Sequence, residues 1–156
     1  MRPYHVAVVG SGPSGFFAAA SLLKFADAKA ATDDPVEVRI DMLEMLPTPW
    51  GLVRSGVAPD HPKIKTVTAQ FDKVADDPRF RFFGNITVGE HVQAPELSER
   101  YDAVIYAIGA QSDRPLGIPG EELEGSVAAV DFVGWYNAHP HFVAMNPDVT
   151  QDRAVV

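Results

Sequence analysis

The chain is predicted to be α/β, with a parallel sheet at its centre, and two observations carry that prediction. An apolar run, Tyr4–Val9 (YHVAVV), enters the glycine-rich turn Gly10-Ser11-Gly12-Pro13-Ser14-Gly15 and leaves it as an alanine-rich segment with helical spacing. After a polar stretch, Val36–Leu43 (VEVRIDML) is rich in β-branched residues and alternates apolar with charged positions. Strand, helix, strand in this order makes a right-handed βαβ unit, and such units build parallel sheets.

Each element follows from its residues. Tyr4–Val9 reads as a short buried strand ended by glycine. Pro13 to about Phe25 reads as a helix: Pro13 suits the first turn, where its missing N–H costs nothing, and Phe16, Ala20 and Leu23 share a face. Asp27–Pro35 is expected to be a polar loop and Val36–Leu43 the second strand, with Glu37 and Asp41 inside it facing sideways or to solvent. Pro47–Pro62, with its prolines and glycines, predicts a fixed, extended loop. His61–Asp76 has helical spacing through Ile64, Val67, Phe71 and Val74. Phe80–Phe83 and Ile86–Val88 are expected to be two short strands about a Gly84-Asn85 hairpin turn. Tyr101–Ile108 (YDAVIYAI) predicts an apolar strand running into Gly109, Ala110–Gly120 a linker, and Val130–Tyr136 a short helix. Arg153–Val156 (RAVV) reads as the opening of another strand.

Composition narrows the function. The 156 residues are 46% hydrophobic and 22% charged, enough for one domain with a real core. The formal net charge of −8 argues against a nucleic-acid partner, whose phosphates need clustered Lys and Arg. With no cysteine there is no disulfide framework, reactive thiol or zinc–cysteine site. No membrane span is expected, because no apolar run is long enough, and no signal-peptide pattern opens the chain; the expected location is cytoplasmic.

The turn Gly10–Gly15 fits G-x-G-x-x-G directly after a strand and at the start of a helix, the context in which that pattern binds dinucleotides. Gly10 permits the tight turn, Gly12 lets the backbone approach a pyrophosphate, and Gly15 lets helix and strand pack closely. The helix N-terminus offers amides and partial positive charge to the diphosphate. Glu44, just past the second strand, is placed to accept hydrogen bonds from both ribose hydroxyls, and a Glu there disfavours a 2′-phosphate. The pattern serves NAD, NADP and FAD alike. No tyrosine is followed by Lys at the Tyr-x-x-x-Lys spacing of a short-chain dehydrogenase. His139-Pro140-His141 lacks a neighbouring carboxylate or cysteine cluster and reads as an ordinary loop rather than a metal site.

Longer motifs point to FAD. Ala103-Val104-Ile105-Tyr106-Ala107-Ile108-Gly109-Ala110 resembles the strand that two-dinucleotide flavoproteins carry after their FAD-binding half, and Ile118-Pro119-Gly120-Glu121 resembles the entry to their NADP domain. The segment from Pro49 to Pro62 (PWGLVRSGVAPDHP) closely resembles the signature of adrenodoxin reductase-type ferredoxin–NADP⁺ reductases, above all the mycobacterial type. Phe83-Gly84-Asn85, Val88-Gly89 and Phe132-Val133-Gly134-Trp135-Tyr136-Asn137 match the same family in the same order, so the likeness covers essentially the whole chain.

The resemblance implies a Rossmann-like FAD-binding domain of the two-dinucleotide-binding-domain flavoprotein (glutathione reductase-like) type. It also implies an oxidoreductase that takes hydride from NADPH onto FAD and passes electrons to ferredoxin or an adrenodoxin-like iron–sulfur protein. By motif position, Gly10, Gly12, Ser14 and Gly15 would hold the diphosphate and Glu44 the ribose. Gly51 and Leu52 would lie at the flavin, Val88 near the adenine, and Gly109 would close the site. His61 would help position the nicotinamide, and Arg114 would sit at the edge of the NADP site. Flavin brings the hydride and one-electron chemistry, so the protein needs no nucleophile or metal of its own.

The family is much longer than this chain. The expected organisation is therefore the first part of an FAD domain over 1–113, a linker and the start of an NADP domain over 114–152, and that domain's first strand over 153–156. A stand-alone FAD- or nucleotide-binding module without catalysis is the alternative reading. A glutamate synthase small-subunit-like reductase is a third, weakened by the absent cysteine clusters and the APDHP segment.

Overall fold

Four strands form one parallel sheet: β1 (Tyr4–Val9), β2 (Val38–Leu43), β3 (Phe80–Phe83) and β4 (Ala103–Tyr106), in the spatial order β3-β2-β1-β4. The computed structural model describes residues 2–110 and 112–150. β1 sits inside the sheet, with Val6 opposite Ile40 of β2 on one side and Ala103 of β4 on the other. The part paired on both edges, Val6–Val9, is buried and must be apolar, which is why VAVV reads as an unbroken run.

Residues 13–29 form α1 (Pro13–Lys29), which buries Phe16, Ala19, Leu23 and Ala26. It outruns the expected end near Phe25, so Asp27–Lys29 are helical rather than loop. Alanine and lysine favour another turn, and Asp27 is tied by a 2.7 Å ion pair to Arg79, which also binds Asp77 at 2.6 Å. The Arg79 guanidinium holds the Asp77 carboxyl below the usual carboxylate range.

β2 begins two residues later than the sequence suggested, leaving Glu37 outside it with its carbonyl accepting from the Tyr4 N–H at 2.8 Å. Asp41, expected to face sideways or to solvent, is buried. A charge inside a sheet must be matched. Arg81 on β3 supplies the match through two 2.7 Å hydrogen bonds, and the Tyr101 hydroxyl donates a third at 2.8 Å. Burial, together with this bond to Asp41, pushes the Tyr101 phenol up to about 12.

The segment expected to be extended contains a one-turn helix, α2 (Leu52–Ser55), and the single helix expected over His61–Asp76 is two, α3 (Pro62–Lys65) and α4 (Thr68–Ala75). At the break the Thr66 and Thr68 hydroxyls donate to the carbonyls three residues back, at 2.7 and 2.9 Å, and compete with the helical ladder. Phe71 and Val74 of α4 are buried as the spacing implies, while Ile64 is exposed.

The hairpin at Gly84-Asn85 does not form. β3 lies at the sheet edge and pairs only with β2, and the Ile86–Val88 segment expected to return along it joins no strand of the sheet. Instead 84–86 follow the chain after β2, with Asn85 N–H donating to Leu46 O at 3.1 Å and Ile86 N–H to Glu44 O at 2.8 Å. Val88 makes only an isolated bridge to Val92. The unanticipated α5 (Ala94–Arg100) opens with a capping box between Gln93 and Glu96 and has Pro95 in its first turn. β4 is shorter than the apolar run suggested, and α6 (Ala129–Tyr136) is close to expectation. Between β4 and α6 the described residues contain no helix or strand, and the strand expected at 153–156 lies outside the described residues. Among the described residues no helix is long and apolar enough to cross a membrane.

Two cores flank the sheet. On one face α1 and α4 pack on Val6, Val8, Ile40 and Met42; on the other Leu97 of α5 meets Val9 and Leu43. Phe71 is the keystone of the larger core, 1% exposed and stacked on Phe16 with ring centroids 4.8 Å apart. Phe71→Ala is expected to destabilise the chain by about 3–5 kcal/mol, read as a lower midpoint in urea unfolding.

Candidate functional site

The strands of a parallel sheet present their carboxyl ends on one side, and where the chain order reverses the connections part to leave a crevice. Here the reversal lies between β1 and β4, and a cleft of about 580 Å³ opens there. Its floor is the turn after β1, the residues after β2 and Ala107–Ala110 after β4.

Three backbones converge at the glycine turn. Gly10 has φ +101°, and a Cβ on it would lie 2.4 Å from Ala107 O. A Cβ on Gly15 would lie 2.2 Å from Gly10 O, so α1 packs on the turn without a side chain between them. Gly12, the N-cap of α1, has nothing within 4 Å of its would-be Cβ and faces open space. Pro13 has no N–H, so the first-turn amides free of helical partners begin at Ser14.

Glu44 is buried, and its carboxylate is held from both sides. Oε2 accepts from the Ser11 N–H at 2.9 Å and the Ser11 hydroxyl at 2.6 Å, while Oε1 accepts from the Leu46 N–H at 3.0 Å. A carboxylate oxygen has room for about two acceptor bonds, so Oε1 keeps one direction for a further donor. Ser11 is fully buried between glycine turn and carboxylate, and its carbonyl accepts from the Trp50 N–H at 3.0 Å. That bond draws the Trp50-Gly51 corner over the turn: a Cβ on Gly51 would meet Gly12 Cα at 3.0 Å. Trp50 takes φ +91°, a conformation that costs a non-glycine residue about 1–3 kcal/mol. Arg54 stacks 4.4 Å over its ring and donates to Pro49 O at 2.9 Å, bracing the corner.

Most of the residues singled out in the sequence come together here. Gly10, Gly12, Ser14, Glu44, Gly51 and Leu52 line the cleft, as do Val88 and Gly109, and Gly15 stands directly behind Gly10. Two do not. His61 is the exposed N-cap of α3, with Nδ1 2.9 Å from Asp60 Oδ1, and Arg114 lies in an exposed stretch; neither lines the cleft. Asp41 is engaged by Arg81 and Tyr101 rather than serving the cleft.

Sequence reasoning missed two features. Ser11, a variable position of the glycine pattern, shows its role only through burial against Glu44. His139 and His141, read as part of an ordinary loop, line the cleft, and so does Phe142. The turn after α6 brings them there: Ala138 takes φ +56° and His139 N–H donates back to Gly134 O at 2.9 Å. Gly134 makes room for the returning chain, since a Cβ on it would lie 2.4 Å from the Phe142 ring. Burial lowers the His139 imidazole below its ordinary value, His141 adds to that, and Glu44 opposes it.

No family model matches the chain. It is a close homologue of the N-terminal part of NADPH-ferredoxin reductase FprA of Mycobacterium tuberculosis (strain H37Rv), 73% identical over 156 residues, covering all of this chain and 33% of the relative. It is also 46% identical over 151 residues to the mitochondrial NADPH:adrenodoxin oxidoreductase of Homo sapiens, covering 97% of this chain and 29% of that protein. The solved structure of M. tuberculosis FprA in complex with NADPH superposes with a TM-score of 0.88 at 75% identity, over 94% of this chain and 32% of that one. The chain thus spans about a third of the length of the curated relatives it matches.

Proposed function

We propose that the cleft binds FAD and that the chain is the FAD-holding part of a reductase passing electrons from NADPH to a ferredoxin- or adrenodoxin-like iron–sulfur protein. The observation that carries this reading is the buried Glu44 carboxylate, fixed by Ser11 and Leu46 at the carboxyl end of β2 beside an open glycine turn. A carboxylate so fixed selects ribose hydroxyls, and the adjoining helix N-terminus suits the diphosphate. The likeness to an NADPH-ferredoxin reductase and an NADPH:adrenodoxin oxidoreductase supplies the reaction class.

In this reading Gly10, Gly12, Ser14 and Gly15 serve the diphosphate and Glu44 the ribose. Val88 borders the adenine, and Gly51, Leu52 and Gly109 enclose the flavin end. FAD, when bound, would accept a hydride and release electrons singly. The protein's share is to hold the ring, orient it and keep water away, which the braced corner at Trp50-Gly51 is suited to do. We assign His61 a role in positioning the nicotinamide and Arg114 one at the NADP edge, both as parts of the longer protein.

The experiment is a visible spectrum of the purified chain after incubation with FAD and desalting. Flavin bands that stay with the protein are the expected result. A colourless protein that also fails to quench flavin fluorescence on titration would refute the assignment of the cleft. The sequence holds one G-x-G-x-x-G turn, so we expect the chain by itself to give no NADPH-dependent reduction of a dye acceptor.

A further inference from the structure

The cleft has an electrostatic gap. Among the described residues that line it there is no lysine or arginine, and Glu44 is the one carboxylic acid. A dinucleotide diphosphate carries two negative charges into this space, within a chain whose formal net charge is already −8. The first turn of α1 offers only a partial positive charge. Arg54 is turned onto the Trp50 ring and the Pro49 carbonyl, away from the lining.

Only two lining side chains can become cationic, His139 and His141. Their rings lie 5.1 Å apart, and His139 also packs at 5.2 Å on Phe142. The His141 backbone N–H donates to His139 Nδ1 at 3.2 Å, which makes Nδ1 the acceptor and leaves the proton of the neutral ring on Nε2. The other titratable groups on the lining are Glu44 after β2 and Tyr106 at the end of β4; the α2 corner and the first turn of α1 contribute none. Without ligand, partial burial and the second imidazole both disfavour charge on His139. Protonating His139 would also give up the bond that Nδ1 accepts from the His141 backbone N–H, so a dianion in the cleft has to outweigh all three.

We propose that His139 and His141 form a proton-linked counter-charge for the dinucleotide, so that the cleft takes up a proton as the cofactor enters and binds it more tightly at mildly acid pH. The proposal rests on the FAD reading and adds to it the source of the charge that offsets the diphosphate. The device suits a loosely enclosed site, because histidine can be neutral when the cleft is empty and cationic when it is filled.

The test is calorimetric titration of the chain with FAD at about pH 6.5 in two buffers of different ionisation enthalpy, PIPES and Bis-Tris. FAD itself has no group titrating between about pH 6 and 8, so any proton exchanged belongs to the protein. We expect uptake on the order of half a proton or more, and FAD affinity about tenfold tighter at pH 6 than at pH 8. The double variant His139→Gln/His141→Gln should lose the uptake and the pH dependence, while His5→Gln, at the opposite end of β1, should keep both. Proton NMR titration of the imidazole resonances in the unaltered chain, with and without FAD, reads the same shift without relying on a variant that folds. Uptake that persists in the double variant overturns the assignment to these histidines. Binding with no proton exchange and a flat pH profile overturns the proposal and leaves the FAD reading standing. No binding at any pH overturns both.

Discussion

Gly15→Ala is expected to destabilise the chain and empty the cleft together, whereas Gly12→Ala should empty the cleft and leave the fold intact. The backbone at Gly15 is ordinary helix, so its cost is steric rather than torsional. The new methyl would sit 2.2 Å from Gly10 O, and neither the turn nor α1 can retreat. Gly10 is itself pressed against the Ala107 carbonyl on the far side. Overpacking against fixed backbone costs about 3 kcal/mol or more, and the helix-propensity gain of alanine, about 1 kcal/mol, does not offset it. The net of about 2 kcal/mol is, for a chain of this size, a fall of about 4–8 °C in the thermal midpoint. At Gly12 nothing lies within 4 Å, so the methyl enters the space assigned to the diphosphate and the melt should stay unchanged while FAD affinity falls. Equal melting of the two variants would sink the packing account of Gly15. Unaltered FAD affinity in Gly12→Ala would sink the diphosphate assignment.

The second large effect is expected at Glu44. Glu44→Gln keeps the shape but offers one acceptor oxygen where the carboxylate offers two. Ser11 N–H, Ser11 hydroxyl and Leu46 N–H all donate to this group. The amide NH₂ therefore faces donors, and a buried donor left unmatched costs about 1–3 kcal/mol. Losing a charge-assisted bond to a ribose hydroxyl costs a further 1.5–3 kcal/mol or so, a loss in FAD affinity of about ten- to a hundredfold. Glu44→Ala should be worse for stability, since it strips all three donors of their partner, and no better for binding. The checks are a thermal melt and a flavin-fluorescence titration on the same samples. If either variant bound FAD as the unaltered chain does, the ribose would have to be held elsewhere.

The two sites differ in how far the sequence revealed them. Gly10, Gly12 and Gly15 were readable because each pattern position answers a local demand for a tight turn, an open approach or a close helix. Glu44 was readable because a strand of known period ends beside it. Ser11 was not: its type is unremarkable, and its part in fixing Glu44 depends on two segments 33 residues apart meeting in a buried space. The same holds for Asp41, whose charge suggested solvent until Arg81 and Tyr101 closed on it from two other elements.

Regular elements divide along the same line. β1, β3 and α6 follow their local pattern closely, since period and boundary residues agree. The hairpin at Gly84-Asn85 failed because Gly-Asn signals a turn and says nothing about which strand lies alongside. The helix over 61–76 split because threonine hydroxyls compete with the ladder at close range, an effect that apolar spacing cannot register. α5 was missed because its seven residues bury a single leucine, too little apolar signal for a period to emerge.

What the sequence determined by itself was the α/β class, the glycine turn after the first strand, the acidic residue that ends beside it and the resemblance to a reductase family. These rest on short-range rules, the sterics of glycine and the periods of strand and helix, which act within a few residues. Tertiary structure alone decided the parallel placement of β3, the burial of Asp41, the clamp of Ser11 on Glu44 and the arrival of His139 and His141 at the cleft. Each of these joins segments far apart in the chain. Burial and pairing then set whether a polar residue is solvated, structural or part of a site, and no local pattern encodes the neighbour that will do so.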